Sequence, residues 1–405
     1  MDSDSQPTIH RFARLHRFTG AVNNLQPEGA YRTLAAAQQL ESQGRSIIHL
    51  EIGEPDFPTP AIIAQHGIES IQRGKTRYTP AAGIPQLRQT IAEQTATRLR
   101  IEINANNVVV GPGAKPLLFL PTLALISAGD EVIYPDPGFP IYEAMIRVAG
   151  GTPIPYPIDL RQNLASPIDS IQQRITPRSR LIVINSPSNP TGLVLEPKQL
   201  EAIASIAIEH DLWVISDEIY RNLTYPPCQH HSILGLPGMQ ERTILVDGFS
   251  KSHAMTGWRL GYGIMPSALA EKVGLLMVHS VGCTAEFTQH AGLVALECCG
   301  EQSLAMRDIY QSRRDLIVHR LNQIDGVHCE TPSGAFYVFP NVSSLGRSSQ
   351  SIADDLLHDA GVAVLPGTAF GAAGEGYLRL CYANSDENLH EAMDRIATWF
   401  KQQTR

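Results

Sequence analysis

The residues that could do chemistry gather in a few short segments. Asp247-Gly248-Phe249-Ser250-Lys251-Ser252-His253 follows an apolar run, and eight positions after the lysine comes Arg259, inside Gly257-Trp258-Arg259-Leu260-Gly261-Tyr262. A lone lysine in a turn is ordinarily a solvated cation. Flanked by hydroxyls and small residues, with an arginine at a fixed offset, it can instead serve as a nucleophilic amine once its pKa is lowered. Ser186-Pro187-Ser188-Asn189-Pro190-Thr191-Gly192 closes a second apolar run; Asn-Pro and Thr-Gly also make turns on their own account. Asp217-Glu218-Ile219-Tyr220 closes a third. Alternation along a strand sends Asp217 and Glu218 to opposite faces, so only one of them can face a site while the chain is extended. Asp217 and Tyr220 can share that site if the strand ends at the aspartate.

A fourth segment, Val108-Val109-Val110-Gly111-Pro112-Gly113-Ala114-Lys115-Pro116, reads as a strand, a glycine turn and a helix start. Pro116 suits a first helical turn, and the free amides of such a start can hold a phosphate. The glycine spacing and the terminal Ser/Thr of a Walker loop are missing. Pro121, in the same helical stretch, predicts a kink or a shifted helix start.

These segments need elements to position them. Strand candidates are Val108–Val110, Glu131–Tyr134, Leu181–Asn185, Leu212–Ser216, Thr243–Val246 and Leu260–Ile264, several of them continuous apolar runs suited to burial on both faces. Helical patterns such as Lys198–His210 lie between them. The alternation predicts an α/β region with a largely parallel sheet, in which ligands sit beyond the carboxyl ends of the strands. The polar segments above follow those ends. Before this region, a helix over Tyr31–Gln43 leads to a short strand at 47–53 and the turn Glu54–Pro60. From about Leu293 the texture changes to a long helix carrying Arg307, Arg313, Arg314 and Asp315, then short strands at Ala335–Phe339 and Tyr377–Cys381. This predicts a smaller α+β domain against which the N-terminal segment packs.

Composition narrows the function classes. The 405 residues are 43% apolar and 18% charged with a net charge of −8, as in a globular protein with a substantial core. No basic run tracks a phosphate backbone, which argues against nucleic-acid binding. No stretch approaches the roughly eighteen apolar residues of a membrane helix. The first twenty residues mix Asp2 and Asp4 with Arg11, Arg14 and Arg17 and hold no apolar signal core. The six cysteines form no CxxC pair, which fits free thiols in a reducing compartment, so a cytoplasmic location is expected. His230 and His231 are read as exposed loop residues rather than ligands.

Taken together, the segments resemble the class I/II aminotransferases of the fold-type-I pyridoxal-phosphate (PLP) enzymes. The resemblance runs from about Gly53 to Tyr382. It is carried by Gly53-Glu54-Pro55-Asp56-Phe57, Tyr78 in Arg77-Tyr78-Thr79-Pro80, Asn189-Pro190-Thr191-Gly192, Asp217-Glu218-Ile219-Tyr220, Ser250-Lys251, the Gly257–Tyr262 segment, and Tyr377-Leu378-Arg379-Leu380. It implies an α/β fold: a large PLP-binding domain (56–292) with a mainly parallel seven-stranded sheet, and a smaller α+β domain (293–405) joined by an arm (1–55). It implies Lys251 as Schiff-base residue and proton shuttle, Asp217 at the pyridine nitrogen, and Tyr220 and Asn189 at the phenolic oxygen. Phe139 falls where the family stacks an aromatic ring, although a core Phe would read the same. The phosphate would meet Gly113, Ala114, Lys115, Ser250 and Arg259, with Tyr78 reaching it from the neighbouring subunit of a homodimer. Arg379 would grip the substrate α-carboxylate by a bidentate fork, beside Gly53.

One departure is Gly248, where some aspartate-specific members carry a serine. Lys115 occupies the place of a lysine that meets the distal carboxylate in one bacterial branch. This favours an acidic amino donor, with 2-oxoglutarate as acceptor by family habit; the alternative is that Lys115 only neutralises phosphate. The same residues also support a C–S β-lyase. A PLP-binding regulator would need a DNA-binding domain for which the residues before Gly53 are too few.

Overall fold

A computed structural model describes residues 18–23, 25, 27–158 and 167–403. The acids and the three arginines of the first seventeen residues lie outside them. Twelve strands are described: β1 Ile48–His49, β2 Val108–Gly111, β3 Glu131–Asp136, β4 Thr152–Pro157, β5 Ser179–Asn185, β6 Trp213–Asp217, β7 Thr243–Gly248, β8 Gly261–Ile264, β9 Tyr337–Val338, β10 Val362–Ala363, β11 Leu365–Pro366 and β12 Leu378–Cys381.

Seven of them form one sheet in the order β2-β8-β7-β6-β5-β3-β4. β8 runs antiparallel to both its neighbours, and the other pairings are parallel. The apolar runs face two cores, as alternation requires. Leu181, Val183 and Ile215 pack on one face with Leu117, Ile91 and Val273, while Ile182, Ile184 and Val214 pack on the other with Leu200, Ile203 and Ala207. Helices Pro85–Leu99, Lys115–Leu125 and Ser267–Ser280 therefore cover one side and Pro197–Glu209 the other.

Three local expectations need correction. β4 was not among the sequence's strand candidates, because Pro153, Pro155 and Pro157 argue against a strand. It is an edge strand paired only with β3. The amides of Thr152 and Ile158 donate inward to Asp130 and Asp136 carbonyls, and the prolines alternate with the inward-facing residues. Pro121 does not shift its helix, which runs Lys115–Leu125 through it. Burial of Leu117, Leu118, Leu120 and Thr122 outweighs the one backbone bond that Pro121 removes. The strand expected over 47–53 shortens to Ile48–His49, since its partner β10 is equally short.

The C-terminal part builds a second core. Helices Gly300–Leu321 and Asp386–Gln403 bring Ile317, Leu321, Leu389, Met393 and Ile396 onto Phe336 and onto Val338 and Leu380 of the antiparallel sheet β11-β12-β9. The helix Gly29–Ser42 packs through Ala37 on Leu357 and Ala363, and β1 pairs with β10. Tyr220, Leu223 and Tyr225 join this second core, so the chain leaving β6 ties it to the large sheet.

Candidate active site

Strand register brings the polar segments to one edge. Asn185 at the end of β5 pairs with Asp217 at the end of β6, and Gly248 and Gly111, at the ends of β7 and β2, both pair with Gly261. Residues just beyond these ends therefore converge. Lys251 lies there, its Nζ donating to the Gly53 carbonyl at 2.5 Å and standing 5.6 Å from the Phe336 ring centroid. Burial pushes its pKa down to about 8; Arg379 and Arg259 push the same way, against Cys381 and Glu54. A lysine at that value has a usable neutral amine near physiological pH.

Asp217 is the last residue of β6 and is buried. It accepts from Tyr142 Oη at 2.8 Å and from the Ile219 amide at 3.3 Å. Burial raises its pKa to about 6, against the pull of those two donors. A buried carboxylate in this state calls for a cationic partner. Glu218 turns the other way, as alternation predicts. It bonds Ser232 at 2.5 Å and Ser216 at 3.0 Å, beside a cavity of about 450 Å³ lined by Arg98, Arg221 and His230. His230 corrects the sequence reading. Its side chain is only 7% exposed and lies 3.5 Å from Glu218, because the 226–232 loop folds over the end of β6. Burial lowers its pKa to about 3, so it is neutral there.

The glycine turn after β2 meets the loop after β7. Gly113 has φ +89°, and a Cβ on it would come 2.3 Å from Arg259 Nη2. The Arg259 guanidinium thus lies against the turn, braced by a 2.8 Å bond to the Thr256 carbonyl. Ala114 caps the helix that begins at Lys115. Pro116 has no N–H and the Leu117 amide donates to the Ala114 carbonyl at 2.9 Å, so the amides of Ala114 and Lys115 are the ones free at this turn, and beside an arginine they could hold an anion. Ser250 is buried next to this turn's strand partner. Gly248, the family departure, sits in a tight place: a Cβ there would approach Gly261 Cα, Ile219 Cδ1 and Leu260 O, each at 3.1 Å, so a side chain would need its neighbours to shift by a few tenths of an ångström.

The opposite wall comes from the second core. Arg379 on β12 is 3% exposed, donates to the Glu51 carbonyl, and lies 4.5 Å from the Tyr337 ring and 5.1 Å from the Phe370 ring. Tyr337 Oη and Tyr220 Oη share a 2.7 Å hydrogen bond. Gly53 packs so tightly there that a Cβ would fall 1.9 Å from Tyr337 Oη. The Asn189 loop is pinned to the same segment by the Gly334 amide donating to Gly192 O at 2.9 Å. Asn189 Oδ1 and Arg379 Nε are buried without a hydrogen-bond partner among the described residues. Such atoms point to a polar ligand, since an orphaned buried group is costly.

Three expected residues stand apart. Phe139 is half-buried, edge-on to Tyr142 at 6.0 Å. Lys115 stands 5.3 Å from the Phe139 centroid and is paired with Glu28. Tyr78 is 97% exposed and does not reach the Lys251 site within its own chain. Its loop is held by Arg77 and Thr79 amides on Glu286 and Cys283. Sequence reasoning missed Tyr142, Tyr337, Phe370 and Glu28. Tyr142 stands three residues after Phe139, a helical spacing that could have flagged it. The other three are joined to the site only by long-range packing.

A mainly parallel sheet with a half-buried lysine, a buried aspartate and an arginine at its strand ends, faced by a buried arginine from the second core, has the architecture of a fold-type-I pyridoxal-phosphate enzyme. The sequence matches the family description "Aminotransferase class I and II" over residues 45–396, and the chain belongs to that family. Its members are PLP-dependent enzymes that move an amino group between amino and 2-oxo acids. The chain is similar to an aspartate aminotransferase of Pyrococcus abyssi, 42% identical over 87% of this chain and 91% of that one. It is also similar to aromatic-amino-acid aminotransferase 2 of Thermococcus litoralis, 39% identical over 88% and 92%. The solved aspartate aminotransferase from Thermus thermophilus with maleate superposes with a TM-score of 0.90 at 36% identity, covering 95% of this chain and 99% of that one. The residues fit pyridoxal phosphate: an anion site at Gly113, a buried carboxylate at Asp217, an amine at Lys251 and an unpartnered amide end at Asn189.

Proposed function

We propose that this aminotransferase takes an acidic L-amino acid as donor and 2-oxoglutarate as acceptor, with Lys251 as the residue that carries the cofactor. The observation that carries the reading is the placement of Lys251, Asp217 and Arg259 at one sheet edge, faced by Arg379 from the second core, with two buried polar atoms left unpartnered beside them. Pyridoxal phosphate supplies, when bound, the electron sink that makes the amino acid's α-proton removable. Lys251 Nζ would hold the cofactor and, when free, would take and return the proton at the substrate α-carbon; a placed base of this kind is worth roughly 10²–10⁴ in rate. Asp217 keeps the ring nitrogen protonated, and that cation in turn favours the buried carboxylate. Asn189 and Tyr220 would hold the phenolic oxygen, and Phe139 would stack on the cofactor. The backbone around Gly113, Ala114 and Lys115, with Ser250 and Arg259, would hold the phosphate, leaving the Lys115 side chain for the substrate. Arg379, with Gly53 beside it, orients the α-carboxylate.

Lys115 would meet a distal carboxylate, and the aspartate-named relatives and the maleate in the Thermus structure support that choice. The exposed ring of Tyr78 supports a homodimer in which it completes the partner's phosphate site. So does the exposed apolar run Leu275, Val278 and Val281 just before its tether at Cys283. The second core, which takes in Ile48 and Leu50 with most of the C-terminal apolar residues, supports domain limits of 1–55, 56–292 and 293–405, although Ala295 and Cys299 still pack in the large-sheet core. A cytoplasmic site agrees with six free cysteines. No helix among the described residues is long and apolar enough to cross a membrane.

The test is a donor-by-acceptor screen on purified protein. Aspartate or glutamate with a 2-oxo acid should exchange the amino group without free ammonia. Activity confined to alanine or aromatic donors would refute the acidic preference.

A further inference from the structure

The N-terminal segment brings a carboxylate to the side of the site where a substrate side chain would end. Glu28 precedes the helix Gly29–Ser42 in the capping position, yet its side chain makes no capping bond. It accepts instead from Lys115 Nζ. Packing explains this placement. A Cβ on Gly29 would lie 3.0 Å from Ala369 Cβ, and Ala30 packs with Phe370 and Tyr377. Phe370 lies against the Arg379 guanidinium, and its carbonyl accepts from the Gly138 amide at 2.7 Å, next to Phe139. The Glu28–Lys115 pair therefore spans from the Phe139 wall to the Phe370–Arg379 wall.

We propose that Glu28 is an internal stand-in for the distal carboxylate of a dicarboxylate substrate. It neutralises Lys115 when the bound side chain is neutral and yields Lys115 when the substrate brings a second carboxylate. The inference rests on the reading of Lys115 given above. An aminotransferase admits two substrates in turn to one site, so one pocket meets different side chains. An unpaired lysine would penalise a neutral side chain, because a charge covered by apolar groups loses its hydration. A buried, fixed ion pair would exclude the acid. This pair is neither: the Lys115 and Glu28 side chains are 41% and 26% exposed. Pairs so exposed are weak, since water solvates both partners when they separate. The released carboxylate also stays beside the positive end of its own fourteen-residue helix.

The test compares wild-type holoenzyme with Glu28→Gln, Lys115→Met and the double variant. Steady-state constants are measured for aspartate, 2-oxoglutarate and phenylalanine, and maleate binding is followed by cofactor absorbance. Glu28→Gln should lower KM for both dicarboxylates and Kd for maleate about three- to fivefold, the scale of one exposed ion pair. The KM for phenylalanine should rise, by up to about fivefold, as Lys115 is left unpaired beside a neutral side chain, and in the Lys115→Met background the Glu28→Gln effects should vanish. A rise or no change for the dicarboxylates, an equal fall for phenylalanine, or an effect that persists without Lys115 would overturn the proposal. If the wild type binds no maleate, Glu28→Gln must create that binding; failure there overturns the Lys115 reading as well, whereas wild-type binding unmoved by Glu28→Gln overturns this inference alone.

Discussion

The two ends of the site are built differently. The cofactor end is made from consecutive strand ends of one sheet. Asp217 and Lys251 are fixed by register, Tyr142 bonds the aspartate at 2.8 Å, and a Cβ at Gly113 would collide with Arg259. The far end is made from segments distant in sequence: Glu28, Lys115, Phe139 and Phe370. It is half-exposed and held by a surface-type ion pair. On the proposed reading, rigid geometry would sit where every catalytic cycle needs the same atoms in the same place, and exchangeable contacts where the substrate changes.

That contrast can be broken or sharpened by mutation. At the rigid end, Lys251→Ala should abolish turnover and the absorbance of the covalently held cofactor, a loss of at least about 10²–10⁴. Borohydride reduction that fixes the cofactor to another lysine would break the assignment. Arg379→Ala should lower kcat/KM by roughly two to three orders of magnitude for all amino acid donors, the usual cost of losing a buried charged contact; an unchanged kcat/KM would refute the role. Tyr142→Phe should act through Asp217. Its hydroxyl holds that carboxyl down, so without it the pKa rises above about 6 and the anion is lost at higher pH as the solution is acidified. The acid limb of cofactor affinity in the apoenzyme should move up by about one unit. The same apoenzyme should capture pyridoxal phosphate faster as pH rises through about 8, where Lys251 becomes neutral, and not only near 10.5. At the soft end, Lys115→Ser should cost dicarboxylates only about three- to tenfold and alanine less than twofold; equal losses would leave Lys115 with the phosphate alone.

The rigid end was legible in the sequence because its residues sit in local motifs that directly follow apolar runs. Six of the seven strands of the large sheet could be read from those runs. β4 could not, since three prolines hide a strand that needs only its other amides. Tyr337 and Phe370 carry no local signal; they matter only because β12 and the Gly367–Phe370 turn fold beside the sheet. Glu28 is one acid in a polar stretch, given meaning by Gly29 packing on Ala369. His230 misled because loops are ordinarily exposed, and this one folds over a buried glutamate.

The antiparallel strand β8 has one more consequence. Gly248 and Gly261 are paired, and the Phe249 amide donates to the Leu260 carbonyl. Both feet of the segment carrying Lys251 and Arg259 are thus stapled to the same spot on the sheet. The interior is fixed as well, with Ser252, His253 and Met255 buried and Met255 in the core of the large sheet. The span of the segment is therefore set from both sides, and a residue added between Lys251 and Arg259 should shift the amine relative to the guanidinium while the feet stay paired.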